Sequence, residues 1–512
     1  MSTGLAIAMV VSAAPAEARN RLSVVGNVAI ENTEDIAPES DALGVATASG
    51  DFDGDGLDDL AVADRQHPGV IRIYRGNLWR IGTAGAVPFL FETAVLPTVP
   101  PTAASPNVAL VAGDFDLVHD DDELVVGVPG DSQGTDGAGA VFFLNRSPNG
   151  TWAVMHTIRQ GSAGYPGSAD AGDHLGAALA IGQFNDDDLP DLAVGIPGND
   201  FPAQSNAGVV MIVYGSNAGP SSIGAEVFFR GNNGLGGEPQ PDEQFGFSLA
   251  AADFNGDTVD DLAIGIPGAT CAGAAAAGGV VVLRGNDNEG GLAGVGATSW
   301  NQATSGVTDT CEAGDRFGYA LAAGDFDRTP LGESRKFDLA IGVPFEAIDG
   351  VSGAGAVAVL HGTDAGLNAA GSTWLHEDLF PGGALRPALL GTSLKAVHFG
   401  SVPSSSDDLV IGLPFGANGG AAFAGALWIV PYGTNALDAL KAQRWLLAGP
   451  LAAAPAQEGD GFGASITSGD YNGDGELDLA IGVPGHQVGA ADGAGAVQVI
   501  YQSDFLFVDS FD

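Results

Sequence analysis

The sequence predicts an all-β fold, a closed seven-bladed β-propeller of four-stranded blades. Three observations predict it. One phrase, an acidic loop running into a branched apolar run and a Gly-x-Pro turn, recurs seven times. Its copies begin at residues 51, 114, 183, 253, 325, 398 and 470, with successive spacings of 63, 69, 70, 72, 73 and 72. Each period holds about four short apolar segments parted by glycine-rich turns, the content of one blade.

The acidic loop is clearest at residues 469–485, GDYNGDGELDLAIGVPG. Asp470, Asn472 and Asp474 alternate, so one tight turn aims several oxygens at a point, which suits calcium and its hard oxygen ligands. It is not an EF-hand. Loop position 12, where an EF-hand needs a bidentate Glu, is Ile481, inside a run too short for a helix and rich in branched residues. That run reads as a buried strand. Residues 50–62 (GDFDGDGLDDLAV), 252–268 (ADFNGDTVDDLAIGIPG) and 182–198 (GQFNDDDLPDLAVGIPG) repeat the phrase, and looser copies start at 113, 324 and 398. An isolated D-x-D-x-D is usually an Asx-turn; three good copies at one point of a repeat argue against that.

The rest of the period follows in order. A Phe-Gly or Leu-Gly pair precedes the loop at Leu43-Gly44, Leu175-Gly176, Phe245-Gly246, Phe317-Gly318, Leu390-Gly391 and Phe462-Gly463. Gly-x-Pro follows at Gly195, Gly265, Gly342 and Gly482, while copy 1 has AVADRQHPG there instead. A step such as GAGAV then leads into an alternating strand such as VVVLRG. A last segment, for example WAVMHTI or STWLHEDLF, ends the unit.

Together these units resemble FG-GAP repeats, the blades of the propeller of integrin α subunits, over roughly residues 43–500. The resemblance implies calcium held by the side chains of loop positions 1, 3, 5 and 9 and the carbonyl of position 7. Copy 1 supplies Asp51, Asp53, Asp55, the Leu57 carbonyl and Asp59. Copy 4 supplies Asp253, Asn255, Asp257, the Val259 carbonyl and Asp261, with Thr258 replacing a glycine. Copy 7 supplies Asp470, Asn472, Asp474, the Glu476 carbonyl and Asp478. Three Ca²⁺ sites are expected. Copy 3 offers a weaker fourth through Asn185, Asp187, the Leu189 carbonyl and Asp191, because its first position is the neutral Gln183. Copy 2 has an extra residue and copy 5 has five, and copy 6 begins with His398 and is expected to hold no metal. These sites read as structural. By analogy with the family, a strand within Arg21–Ile30 closes blade 7; Phe505–Phe511 is the alternative.

Residues 1–18 read as a secretory signal peptide: Leu5–Ala14 is apolar but too short to span a bilayer, and Ala16-Glu17-Ala18 is an A-x-A cleavage pattern. Residues 19–512 are then one propeller, secreted, at the cell surface or periplasmic. Cys271 follows the Gly-Ile-Pro of copy 4 and Cys311 precedes Phe317-Gly318. In an up-and-down blade both loops lie on one face, so a disulfide fits an oxidising compartment; two free thiols are the alternative. The net charge of −45 disfavours nucleic acid, anionic lipid and polyanionic glycans. No segment after the leader suits membrane insertion.

The sequence favours an exported, calcium-stabilised binding or adhesion protein, with an extracellular protein or glycan as partner. The alternatives are a secreted hydrolase or polysaccharide lyase on the same scaffold, or a structural subunit of a surface assembly. No catalytic motif appears among the eight histidines. His67 and His486 fall in matching loops of blades 1 and 7, near Asp64 and Arg65, and read either as a small site or as two exposed loop histidines. The loops opposite the acidic ones are longer and carry Phe201, Phe345 and Phe415 in exposed-looking contexts. Function tends to sit on such loops, so the partner is expected there, near blades 3 to 5.

Overall fold

A computed structural model describes residues 28–31, 42–76, 91–96, 108–115, 121–132, 135–147, 149–286, 290–327, 334–384, 386–399, 406–418, 420–433, 435–447, 456–488, 491 and 493–502. The expected signal peptide, the Phe505–Phe511 segment and parts of the copy 2, 5 and 6 loops lie outside these residues.

Each copy becomes one antiparallel four-stranded sheet. Blade 1 is Ala46–Gly50, Asp59–Ala63, Val70–Tyr74 and Phe91–Val95; blade 2 is Ala109–Gly113, Glu123–Val128, Ala140–Arg146 and Trp152–Ile158. Blade 3 is Ala178–Gly182, Asp191–Ile196, Val209–Val213 and Glu226–Phe228; blade 4 is Ser248–Ala252, Asp261–Gly265, Val280–Arg284 and Ala293–Trp300. Blade 5 is Leu321–Gly324, Asp338–Val343, Ala356–His361 and Asn368–Leu375; blade 6 is Ser393–Val397, Asp408–Leu413, Ala426–Val430 and Gln443–Trp445. Blade 7 is Ile466–Gly469, Asp478–Val483 and Ala496–Ile500, and its outer strand is Val28–Glu31, paired antiparallel to Ala496–Ile500. The N-terminal strand therefore closes the ring. The first strands of the seven blades touch in cyclic order, blade 7 against blade 1.

Two local expectations fail. Most third strands do not alternate: Val209–Val213, Ala426–Val430 and Ala496–Ile500 are buried at every position. Each middle strand packs on a neighbouring blade through both faces, so both faces want apolar side chains. The last segment of copy 5 is also only partly strand. It ends at Leu375, and Glu377–Leu379 is a 3₁₀ turn whose Glu377 accepts from Trp428 Nε1 at 3.1 Å.

The two recurring glycines explain how blades approach so closely. A Cβ on Gly195 would lie 2.1 Å from the Gly246 carbonyl oxygen, and one on Gly482 would lie 2.0 Å from that of Gly44. The glycine of Gly-x-Pro in one blade thus meets the glycine of Phe-Gly in the next, and no side chain fits on either. The same contact joins Gly127 to Gly176, Gly265 to Gly318, Gly342 to Gly391 and Gly412 to Gly463. At the seam between blades 1 and 2, copy 1 lacks Gly-x-Pro and copy 2 lacks Phe-Gly. Both halves of that contact are gone together.

Candidate functional site: the acidic loops and the opposite face

The acidic loops join the first and second strands of each blade, and position 9 is the first residue of the second strand. Asp59, Asp191, Asp261, Asp338 and Asp478 there are almost fully buried. Asp59 accepts from Phe52 N at 3.2 Å and Gly76 N at 2.8 Å. Asp191 accepts from Phe184 N and Gly215 N, both at 2.8 Å, and Asp338 from Phe326 N at 2.7 Å and Gly362 N at 2.8 Å. Glu123 takes this place in blade 2 and Asp408 in blade 6, accepting from Phe115 N at 2.7 Å and Tyr432 N at 2.6 Å. In blades 1, 3 and 5 position 9 therefore ties three strands, whether or not its loop has a metal pattern. A buried N–H left without an acceptor is costly, which accounts for a carboxylate there even in blades 5 and 6.

Position 1 organises the turn. Asp470 Oδ1 accepts from Gly473 N at 2.7 Å and Asp474 N at 3.1 Å, and its Oδ2 from Gly475 N at 2.9 Å. Asp51 does the same for Gly54, Asp55 and Gly56, and Asp253 for Gly256, Asp257 and Thr258. Position 5 closes the next step: Asp55, Asp187, Asp257 and Asp474 accept from Leu57, Leu189, Val259 and Glu476 N at 3.0–3.1 Å. The turn needs left-handed backbone at position 6. Gly56 and Gly475 supply it at φ 85° and 84°, while Thr258 adopts φ 77°, a strained conformation for a β-branched residue.

These residues fit a divalent cation. Carboxylate oxygens of Asp51, Asp53 and Asp59 lie within 4.8 Å of one another. Buried Asp53 Oδ1, Gln183 Oε1 and Asn185 Oδ1 have no hydrogen-bond partner. Burial, with added repulsion from the neighbouring loop carboxylates, pushes the Asp59 and Asp478 carboxyls up to about 8 and those of Asp191 and Asp261 to about 7. A cation would relieve that strain. Side chains already offset part of it. Asn472 Nδ2 donates to Asp478 at 3.0 Å, Asn255 Nδ2 lies 3.3 Å from Asp261, and Arg75 pairs with Asp53. Arg75 stands at the end of the third strand and competes with an ion for position 3. Its distance along the chain hid it from a reading of the loop alone.

Position 8 carries a second role that the sequence reading missed. Asp122 Oδ2 accepts from Asp51 N at 3.1 Å, and Asp260 Oδ2 from Gln183 N at 2.9 Å. Asp407 Oδ2 accepts from Asp325 N at 2.9 Å, and Asp58 Oδ2 from Asp470 N at 2.7 Å. In each pair the position-8 N–H also donates to the position-1 carbonyl. The acidic loop of one blade is thus latched to that of the next, and the Asp58–Asp470 latch closes the ring. Pro190, Phe337 and Leu477 occupy position 8 at the other three seams.

On the opposite face, Asp173, Glu243, Asp315 and Asp460 sit two residues before the Phe-Gly or Leu-Gly pair, and all are buried. Each accepts the backbone N–H three residues earlier, at 2.7–3.0 Å. Their recurrence in GDHLG, DEQFG, GDRFG and GDGFG was visible in the sequence. Arg230 Nε pairs with Glu243 at 2.9 Å, and His486 Nδ1 lies 3.2 Å from Asp460. His486 is therefore buried, contrary to the exposed alternative, because a buried carboxylate of its own blade holds it. His67 contacts Asp64 of its own turn at 3.4 Å. Cys271 and Cys311 are disulfide-bonded, with Cα atoms 5.9 Å apart, and join the loops of blades 4 and 5 on this face.

Phe201 is not exposed as expected. It is half-buried against the blade 3 core and stacks on Phe229 with centroids 4.6 Å apart. The two rings border a cavity of about 480 Å³ lined also by Pro202, Gln204, Arg230 and Glu238. Phe345 and Phe415 are 39% and 44% exposed. Arg316 lies over the Phe345 ring, 5.6 Å from its centroid, and Phe415 packs on the exposed Phe423.

Ring, facing glycines and acidic loops define a propeller of the FG-GAP repeat class. The chain is an integrin-like FG-GAP propeller, and residues 245–283 and 462–500 match the FG-GAP repeat family directly. It is 33% identical over 174 residues to phosphatidylinositol-glycan-specific phospholipase D of Bos taurus, covering 33% of this chain and 19% of that protein. It is 29% identical over 238 residues to integrin alpha-PS2 of Drosophila melanogaster, covering 44% and 14%, and 31% identical over 238 residues to integrin alpha-V of Gallus gallus, covering 45% and 19%. The matches span a fifth or less of those relatives. Among the described residues no helix is long and apolar enough to cross a membrane.

Proposed function

We propose that this is an exported, calcium-stabilised binding module that engages an extracellular protein or glycan through the face opposite its acidic loops. The observation that carries the reading is the cleft of blade 3. Phe201 and Phe229 offer an aromatic platform, flanked by Arg230, Gln204 and Glu238 as polar groups that fix orientation. Aromatic surface beside a few placed polar groups is what a recognition site needs. Calcium in the loops of blades 1, 4 and 7, and more weakly blade 3, would hold the scaffold without entering the site. The relationship to integrin α chains supports a role in adhesion. The disulfide and the leader-like N-terminus support export. The two histidines of the catalytic alternative each rest on an aspartate of their own blade, which favours binding.

Protein and glycan arrays probed with the full chain, with and without calcium, test the reading. Phe201→Ser is expected to weaken any captured ligand strongly, and Phe345→Ser to weaken it less. Full-strength binding by both variants would place the site elsewhere.

A further inference from the structure

We propose that blade 5 holds a zinc-type transition-metal ion between Asp327, Asp338 and His361. The sequence left this loop outside the three expected calcium sites because five extra residues interrupt it. The structure brings a nitrogen donor there. His361 ends the third strand of blade 5, at the place that Arg75 has in blade 1. Its Nδ1 lies 3.4 Å from Asp327 Oδ2 and 3.5 Å from Asp338 Oδ2. Ligand atoms of the three residues all fall within 4.8 Å of one another.

The tautomer follows from the other ring nitrogen. His361 Nε2 is 3.2 Å from the Gly371 carbonyl oxygen, which can only accept. Nε2 therefore carries the proton, and in the neutral ring Nδ1 presents a lone pair to two carboxylate oxygens. Nδ1 is buried and makes no hydrogen bond. Lone pairs converging on one point call for either a proton on Nδ1 or a metal cation between them, and the metal is the reading put to the test. A backbone carbonyl behind the ring is the usual outer partner of a metal-bound histidine. Asp338 is likewise fixed, by Phe326 N and Gly362 N. Donors bound at about 2.0–2.2 Å in a tetrahedron stand roughly 3.3–3.5 Å apart, and the two nitrogen–oxygen separations agree. Two carboxylates and a neutral imidazole balance a divalent charge. Calcium takes oxygen ligands, whereas an imidazole with carboxylates suits zinc and its neighbours. The nearby cations are engaged elsewhere: Arg335 with Asp325 and Asp407, Lys336 with Asp364.

The test uses the full chain, stripped by chelator and titrated with Zn²⁺ in excess Ca²⁺. One zinc ion per chain should bind and survive the calcium. His361→Gln and Asp327→Asn should each weaken it at least tenfold, while His398→Gln and His486→Gln leave it unchanged. Co²⁺ substituted for zinc should give the visible absorption of a tetrahedral site in the native chain and not in His361→Gln. Zinc lost to calcium, or equal zinc and cobalt signals in His361→Gln, would overturn the proposal and leave His361 as a protonated partner of the two aspartates.

Discussion

The acidic loops of blades 7 and 5 start from the same backbone and solve the same electrostatic problem differently. Both anchor a buried aspartate, Asp478 or Asp338, between backbone donors. In blade 7 the remaining oxygens come from one continuous turn, Asp470 to Asp474, with glycines where the backbone must turn left. In blade 5 the turn is interrupted by extra residues, and its carboxylates face His361 from the third strand and Arg335 of the lengthened loop itself, which reaches Asp325 and Asp407 at 3.2 and 3.1 Å. Blade 5 is also joined to blade 4 by a disulfide. The comparison separates two jobs that the repeat motif runs together. Position 9 builds the blade, and positions 1, 3 and 5 shape the turn and collect charge.

The largest effect should come from the covalent link. The disulfide spans 40 residues of chain, so replacing both Cys271 and Cys311 by Ser should cost about 4 kcal/mol, read by denaturant unfolding. Next, Asp478→Ala and Asp338→Ala should each cost about 3 kcal/mol in calcium-free buffer, since both strand buried N–H groups. Little cost from either variant in calcium-free buffer would show that position 9 serves only the metal. Calcium itself should add about 2.7 kcal/mol per site at a hundredfold excess over Kd. Chelation should therefore lower the melting temperature, and Asp474→Ala should remove one ion while leaving the others. The smallest effect belongs to Arg335→Gln, about 1 kcal/mol, because the guanidinium is 46% exposed. It should also show in acid. Burial raises the Asp407 carboxyl, but His398, the Asp325 N–H and Arg335 outweigh it and hold it below the usual range. Its stabilisation is present above the unfolded value and lost as pH falls through the folded one. Arg335→Gln should move that loss to higher pH.

The ring was legible because its signals are local and periodic. Seven acidic loops gave the blade count, and each Phe-Gly and Gly-x-Pro marked a place where backbones meet. What the motif could not say was that these two glycines face each other across a seam. The joint loss at copies 1 and 2 therefore looked like two unrelated departures. The acidic turns were legible as tight loops, since positions 1, 3 and 5 act within one loop. Arg75, His361 and Arg335 were not. The first two reach their aspartates from another strand, and Arg335 links neighbouring blades, so spacing along the chain does not reveal them. Phe201 misled for a related reason: a phenylalanine in a polar loop looks exposed until Phe229, 28 positions away, turns out to cover it.

Val28–Glu31 completes a sheet whose other strands end at Ile500. The first strand of the ring thus waits for the last. A chain made or translocated from its N-terminus must keep this segment unpaired until nearly five hundred residues have followed, and every earlier blade can form before the circle shuts. Long-range pairing of this kind is slow. Until it happens, Ala496–Ile500 is an open edge that a strand from another molecule can occupy. The order of assembly is thus written into the topology. The same clasp that gives the propeller its closure makes domain exchange between half-made copies its natural way to fail.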